Sequence, residues 1–246
     1  MNVRRSPLIP AVLTAAFALV LIPGASAQNG NTNEDDNALV YSPDERVLGR
    51  SYAEWSAEWW EWVFVTPGSI NPIFDPDGHN CHVNQSRPVF FLAGNNTPAP
   101  TVTRSCTVAR NTVMFLPMIN TECSNVEPDP YHGSTDATRL ACAQAWIDGA
   151  PPATIKLSID GHAVHGLRDF RVASPPFNFQ TPPHDNILGI DGVTSGRSES
   201  DGYWAMLKPL KPGTHTIHFE GQVIVPPPFP GATPFSQVVT YHITVQ

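Results

Sequence analysis

The side chains best suited to proton transfer lie close together between residues 122 and 132. The run Glu122-Cys-Ser-Asn-Val-Glu-Pro-Asp129-Pro-Tyr-His132 contains three acids and a histidine. Catalytic carboxylates need rigid anchoring and a second carboxylate at a set distance, and a disulfide at Cys123 would anchor Glu122. We therefore take Glu122, Asp129 and His132 as candidate catalytic residues, with Glu122 as the first choice. The simpler interpretation is a solvated loop stiffened by proline.

A second group of polar side chains has the residue types of a metal site. The run Asp75-Pro-Asp-Gly-His-Asn-Cys-His82 places Asp75, Asp77, His79 and His82 close together. Oxygen and imidazole donors bind divalent cations, so these four are the candidate metal ligands. The spacing differs from that of an EF-hand loop, and Asp-Pro and Asp-Gly also form ordinary turns.

No cofactor is expected, because the sequence lacks the short motifs that are typical of cofactor-binding sites. It has no H-E-x-x-H motif, no phosphate-binding glycine loop and no dinucleotide fingerprint. It also lacks the G-x-S-x-G turn of a serine hydrolase.

Aromatic residues offer a third kind of site, because exposed rings stack on sugars. A helix over 52–65 would put Trp55, Trp59 and Trp62 on one face, which is the pattern of burial. Trp60 points away from that face. We therefore expect Trp60, together with Tyr203 and Trp204, to form the candidate ligand-binding surface.

The elements that must position these residues can be predicted from caps and periodicity. Ser51 and Glu54 form a capping box for the helix over 52–65, which ends before Pro67. A second helix is predicted over 135–148, capped by Ser134. Asp160-Gly161 predicts a two-residue hairpin turn. The predicted strands are 88–93, 112–118, 153–160, 170–173, 202–207, 214–220 and 237–245.

Four cysteines in one chain allow three patterns of two disulfides. We favour Cys81–Cys106 and Cys123–Cys142, because in each pair the intervening chain can return on itself. A zinc site is disfavoured, since no close Cys/His pair such as C-x-x-C is present.

The first 27 residues have the pattern of a secretory signal peptide. Arg4 and Arg5 precede an apolar run over 8–22, and Ala25-Ser26-Ala27 predicts cleavage before Gln28. We expect a secreted or periplasmic protein with no membrane span after cleavage. Residues 28–45 are predicted to be a flexible acidic leader, and 46–246 a single disulfide-linked domain.

Composition limits the class of protein. The formal charge is −8, and removing Arg4 and Arg5 with the signal makes it −10, which argues against a nucleic-acid partner. Proline accounts for 26 of 246 residues, which favours short strands and stiff loops. We predict a mainly β fold, an antiparallel β-sandwich of immunoglobulin-like or jelly-roll-like type, with an N-terminal aromatic helix and one further short helix.

Two parts of the sequence carry a resemblance. The segment LKPLKPGTHTIHF (207–219), with YHITV (241–245), resembles the closing strands of immunoglobulin-like domains in exported bacterial proteins. The wider layout of SYAEWSAEWWEW (51–62), FLAG (91–94) and NTECS (120–124) resembles a group of exported bacterial proteins of unassigned activity. The resemblance implies one domain and transfers no functional residue.

Two functions follow as hypotheses. The first is an exported, non-catalytic binding or envelope-associated module whose partner is an extracellular glycan or an envelope component. The alternative is a secreted hydrolase that uses carboxylates such as Glu122 and Asp129. An exposed row of aromatic residues would favour the first hypothesis, and a deep acid-lined pocket around Glu122 would favour the second.

Overall fold

The computed structural model describes residues 37–86, 88–225, 227–228 and 231–246. The predicted signal peptide and residues 28–36 of the predicted leader lie outside these ranges. Within them the protein is mainly β, with two five-stranded sheets in a sandwich-like arrangement and two α-helices, which confirms the predicted fold class. Among the described residues, no helix has the length and apolar character needed to cross a membrane.

The first sheet has the strand order β1-β3-β8-β6, and β7 also pairs with β8. Its strands are β1 (Val89–Phe91), β3 (Val113–Ser124), β6 (Arg171–Ala173), β7 (Phe177–Gln180) and β8 (Ser195–Leu207). All pairs are antiparallel except β1 with β3, which is parallel. This sheet carries Glu122 on its long central strand β3.

The second sheet has the order β2-β10-β9-β4-β5. Its strands are β2 (Thr101–Val108), β4 (Lys156–Ile159), β5 (His162–Ala163), β9 (Gly213–Val223) and β10 (Phe235–Val245). The β4–β5 hairpin turns at Asp160 and Gly161, whose φ angles of 53° and 81° are those of the predicted tight turn. The parallel pairing of β2 with β10 adds a second exception to the antiparallel pattern that we expected.

Helix α1 (Tyr52–Val65) begins at Ser51, and the predicted capping box with Glu54 is present. The three tryptophans that share one face of the helix, Trp55, Trp59 and Trp62, are buried, so their spacing reflects packing. The ring of Trp59 lies edge-on to Trp204 of β8, with centroids 5.4 Å apart. Helix α1 therefore covers one face of the first sheet.

Helix α2 (Asp136–Asp148) covers the opposite face. Its cap is Thr135, whose side chain accepts a hydrogen bond from the N–H of Thr138, so the prediction of Ser134 as cap is wrong by one residue. Arg139 of α2 forms a buried ion pair with Glu199 of β8, at 2.6 Å. Because Glu199 and Trp204 point to opposite sides of the strand, β8 is buried on both faces.

The last part of the predicted leader is ordered against the domain. The N–H of Tyr41 donates to the carbonyl of Met206, and Lys208 donates to Leu39. Val40 is buried at this contact. Residues 39–41 thus lie along the end of β8, with Val40 turned into the core.

Both favoured disulfides, Cys81–Cys106 and Cys123–Cys142, are present, and no cysteine is free. The second disulfide joins β3 to α2. It therefore fixes the strand at the residue next to Glu122.

Candidate functional site

A cavity of about 430 Å³ opens where β1 leaves β3. β1 pairs with β3 only at Val113–Phe115, and β3 then continues for nine more residues to Ser124. The chain after β1 turns away through Gly94–Asn96. The cavity lies along this stretch of β3 and receives side chains from both helices and both sheets. The residues that matter below are Trp60, Asn120, Glu122, Glu127, Tyr131 and Trp146.

Glu122 is placed in the cavity by the alternation of β3. Asn120 and Glu122 lie on one face of the strand, and Thr121 and Cys123 lie on the other. The Glu122 side chain is 6% exposed, and the hydroxyl of Ser198 on β8 donates to its Oε2. A carboxyl this deeply buried needs such a partner, because an unpaired polar group inside a protein is costly.

The second carboxyl of the cavity belongs to Glu127, which is close enough to Glu122 for each to shift the pKa of the other. The local sequence Ser124-x-x-Glu127 folds the chain back, since Ser124 Oγ accepts from the N–H of Glu127 at 3.2 Å. The same hydroxyl donates to Glu127 Oε2 at 2.8 Å. Each carboxyl of the pair is thus held by its own serine.

Burial raises the pKa of Glu122 well above its usual range, and the charge of Glu127 raises it further. Burial also raises the pKa of Glu127, but the hydrogen bonds from Glu122 and Ser124 oppose the rise. Two carboxyls in contact resist ionising together. The pair therefore favours a form that carries one proton between the two carboxyls.

Aromatic rings form the walls around this pair. Tyr131 stacks on Trp146 of α2, with centroids 5.0 Å apart and planes 7° from parallel. Burial, followed by the charges of Glu127 and Glu122, raises the pKa of Tyr131. The half-buried Trp60 of α1 also lines the cavity, next to Trp59.

Three buried N–H groups on lining residues have no hydrogen-bond partner among the described residues. They are Trp60 Nε1, Trp146 Nε1 and Asn120 Nδ2. Their side chains border the cavity, but the three atoms themselves are inaccessible, so a ligand in the cavity would not reach them. The described lining contains no arginine, lysine or histidine.

Gln237 of β10 fixes the wall opposite β3. Its Oε1 accepts from the N–H of Asn95 at 2.6 Å, and its Nε2 donates to the carbonyl of Met118 at 2.8 Å. A Cβ atom at Gly94 would lie 2.8 Å from this Oε1. A side chain at position 94 would therefore displace the Gln237 amide from its present position.

Of the predicted catalytic residues, only Glu122 lines the cavity. Asp129 and His132 are exposed on the loop after β3 and lie outside the lining. The His132 ring meets the Glu127 backbone carbonyl at 2.9 Å. Glu127 takes the place that we expected for Asp129, and the Ser124-x-x-Glu127 turn was the sequence signal for it.

The three aromatic residues predicted to form an exposed ligand-binding surface do not form one. Trp60 borders the cavity, but Tyr203 is 3% exposed and Trp204 is 0% exposed. Trp204 stacks on Phe115 with centroids 5.2 Å apart. These two residues belong to the core because β8 is covered on both faces.

The structure does not assemble the predicted metal ligands Asp75, Asp77, His79 and His82 into a site. In the described part of the chain, no three or more His, Cys, Asp or Glu side chains are placed to hold a metal ion. Burial alone would raise the pKa of Asp75, but N–H donors from Asn80, Asp77 and Gly78 outweigh it and lower that pKa. The Asp75 carboxylate thus closes a turn, while His79 and His82 are exposed.

The fold and the cavity together define a mainly β protein with a partly open site lined by acidic and aromatic side chains. No protein-family model and no curated protein matches the sequence. Among solved structures, the cysteine protease inhibitor EhICP2 from Entamoeba histolytica is 16% identical, over 59% of this chain and 94% of its own, with a TM-score of 0.19. Amebosin is 12% identical, over 61% and 99%, with a TM-score of 0.17. TM-scores this low carry no argument about fold or function.

Proposed function

We propose that this protein is an exported binding protein whose cavity takes a neutral, hydroxyl-bearing ligand such as a sugar unit. The observation that carries the proposal is the cavity itself, in which the carboxyls of Glu122 and Glu127 lie beside three aromatic rings. Hydroxyl groups suit this pair because each can accept from a protonated carboxyl and donate to an ionised one.

Shape and charge support the same class of ligand. The volume of about 430 Å³ lies in the usual range of small-molecule sites. The rings of Trp60, Tyr131 and Trp146 offer apolar surface for the carbon face of a sugar. The carboxyl pair carries negative charge and no basic side chain of the described lining balances it, so anionic ligands are disfavoured.

Export is part of the proposal and rests on the signal-like sequence at 1–27. The two disulfides support it, because disulfides persist in oxidising compartments.

Binding can be tested with glucose, galactose, N-acetylglucosamine, cellobiose and glucuronic acid, by calorimetry and indole fluorescence. We expect at least one neutral sugar to bind and the acid to bind more weakly. Trp60→Phe should weaken binding about fivefold, because the smaller ring gives up about 1 kcal/mol of contact with the sugar.

Trp204→Phe is the matched control. Trp204 also has a buried indole N–H without a described partner, but it does not line the cavity. Its replacement should leave the affinity unchanged. Failure of every neutral sugar to bind, or equal losses in the two variants, would contradict the proposal.

A further inference from the structure

We infer that the cavity is also a peptide-binding groove, in which an extended segment with a basic side chain pairs with the open edge of β3 at Asn120 and Glu122. The inference goes beyond the proposed function, because it gives the cavity a second class of ligand. A sugar and a peptide would occupy the same space, so binding of either would exclude the other.

The edge of β3 that faces away from β8 is only partly covered. β1 pairs with this edge at Val113–Phe115 and extends no further. The side-chain amide of Gln237 then donates to the carbonyl of Met118 at 2.8 Å. The next covered position is Ser124, whose N–H donates to the carbonyl of Tyr131 at 3.0 Å. No described strand pairs with this edge between Met118 and Ser124.

The main-chain groups of Asn120 and Glu122 lie in this gap and point away from β8. The pairing of β3 with β8 is regular from Ile119 to Ser124. Because alternate residues of a strand direct their N–H and C=O groups to the same edge, Asn120 and Glu122 share the direction of Ser124. In the described part of the chain, the one group that bonds to them there is the Thr121 hydroxyl, which lies 3.4 Å from the Glu122 carbonyl. The N–H of Glu122 and both main-chain groups of Asn120 are therefore free to pair.

A ligand in the cavity can reach this part of the strand. Among the residues of β3, only Asn120 and Thr121 are partly exposed, and both line the cavity together with Glu122. The chain that follows β1 lines the cavity from the other side, at Gly94–Asn96. The cavity thus occupies the place beside β3 that a longer β1 would take.

An extended peptide suits an open strand edge because it has the same main-chain groups in the same repeat. In an antiparallel arrangement, one peptide residue exchanges two hydrogen bonds with Glu122, and the residue two positions along exchanges two with Asn120. Addition of a strand to a sheet edge is a common mode of peptide recognition, in which main-chain hydrogen bonds give affinity and side-chain pockets give specificity.

The lining of the cavity decides which side chains the peptide should carry. Tyr131 is 37% exposed, and Ile187 and Leu188 are partly buried, so apolar side chains of the peptide find apolar contacts at the rim. The described lining also contains two carboxyls and no arginine, lysine or histidine. A lysine or arginine of the peptide would therefore meet charge of the opposite sign, which favours it over an acidic residue.

The first test measures the open edge without any ligand. Hydrogen exchange of single amides, followed by NMR in deuterium oxide, should be at least about tenfold faster at Asn120 and Glu122 than at Thr121 and Cys123. The second two amides point to β8, where they are paired. Equal protection of all four amides would overturn the inference.

The second test uses the peptide acetyl-Ala-Val-Lys-Val-Ala-amide and calorimetry. We expect it to bind and to slow exchange at Asn120 and Glu122. The peptide with glutamate in place of lysine should bind about tenfold more weakly. Methylation of single peptide nitrogens should weaken binding about fivefold at alternate positions only, because only alternate N–H groups of a paired strand face β3. Equal weakening at every position would contradict strand pairing.

The third test examines the charge of the cavity. Glu127→Gln should weaken binding of the lysine peptide about fivefold. Asp129→Asn is the matched control, because Asp129 is exposed on the same loop but lies outside the lining, and it should leave the affinity unchanged. Thermal melting of each variant shows that it is folded. Equal losses in the two folded variants would overturn the role given to the cavity carboxyls.

The outcomes for peptide and sugar are separate. A neutral sugar that binds should displace the lysine peptide. Sugar binding without peptide binding would overturn this inference alone. Peptide binding in a protein that binds no neutral sugar would contradict the proposed function alone.

Discussion

At the level of single residues, the protonation of Glu122 links the cavity to the stability of the protein. Burial and the neighbouring Glu127 raise the pKa of Glu122 above the value it has in the unfolded chain. Between those two pKa values the folded protein binds more protons than the unfolded chain. The contribution of protonated Glu122 to the free energy of unfolding is therefore fully present below the pKa of the unfolded chain. It is lost as the pH rises through the pKa of the folded protein.

The substitution Glu122→Gln should remove this loss of stability at higher pH. The amide keeps the size of the protonated acid and can still donate to Glu127, but it cannot ionise. We expect similar stabilities for the variant and the native protein near pH 4, and a more stable variant at pH 7. Urea unfolding at a series of pH values measures the difference, and any one group changes the slope by at most about 1.4 kcal/mol per pH unit.

Asp129→Asn serves as the control for this titration, because Asp129 is exposed on the same loop. Its stability curve should keep the slope of the native protein. A Glu122→Gln variant that loses stability equally at both pH values would show that Glu122 is not held protonated.

Of the two carboxyls in the cavity, residue types and spacing predicted only Glu122. Glu122 was predicted because a strand and a neighbouring cysteine would anchor it. Glu127 could not be ranked above Asp129, since the choice depends on how the Ser124 hydroxyl turns the loop. Trp204 was expected at a surface because the sequence does not show that β8 is covered on both faces.

At the level of elements, the start of α2 depends on one hydroxyl. Thr135 and Thr138 form a reciprocal capping box, while Ser134 stands outside it. The two candidates are adjacent and chemically similar, so sequence alone could not separate them. The choice matters because α2 carries Trp146 and Cys142.

Thr135→Ala should therefore destabilise the protein by about 1 kcal/mol through loss of the N-cap. Ser134→Ala should change the stability by less than about 0.5 kcal/mol, as for most surface substitutions. Chemical denaturation of the two variants makes the comparison. The reverse order of effects would restore Ser134 as the cap.

Strand β2 shows why part of the sheet was not predicted. Its inward positions alternate correctly, but Arg104 occupies one of them among Val102, Cys106 and Val108. The Arg104 guanidinium is buried and donates to backbone carbonyls of Asp75, Ala93 and Gly94. Prediction of a strand depends on alternating apolar residues, and a buried arginine interrupts that alternation. The distant carbonyls that accept from Arg104 cannot be identified from the sequence.

At the level of the whole molecule, the cavity exists only because distant segments meet. α1 supplies Trp60, β3 supplies Asn120 and Glu122, and β10 supplies Gln237. The sandwich class and the helices followed from local patterns and were predicted. The parallel pairing of β1 with β3, and the space left where β1 ends, are long-range features that local periodicity does not encode.

The two disulfides offer a test of how this assembly holds the site. They close loops of similar length, with sequence separations of 25 and 19 residues. Replacing Cys81 and Cys106 by alanine, or Cys123 and Cys142, should therefore cost about 3 kcal/mol in either case. Denaturant unfolding of both double variants measures this expected equality.

The effect on the site should differ between the two variants. Cys123 is adjacent to Glu122, and Cys142 lies on the helix that carries Trp146. Neither Cys81 nor Cys106 lines the cavity. The affinity for the sugar that the native protein binds, measured under conditions in which both variants remain folded, should thus fall in Cys123→Ala/Cys142→Ala and persist in Cys81→Ala/Cys106→Ala. Equal affinities of the two variants would mean that the two serines hold the carboxyl pair without help from the disulfide.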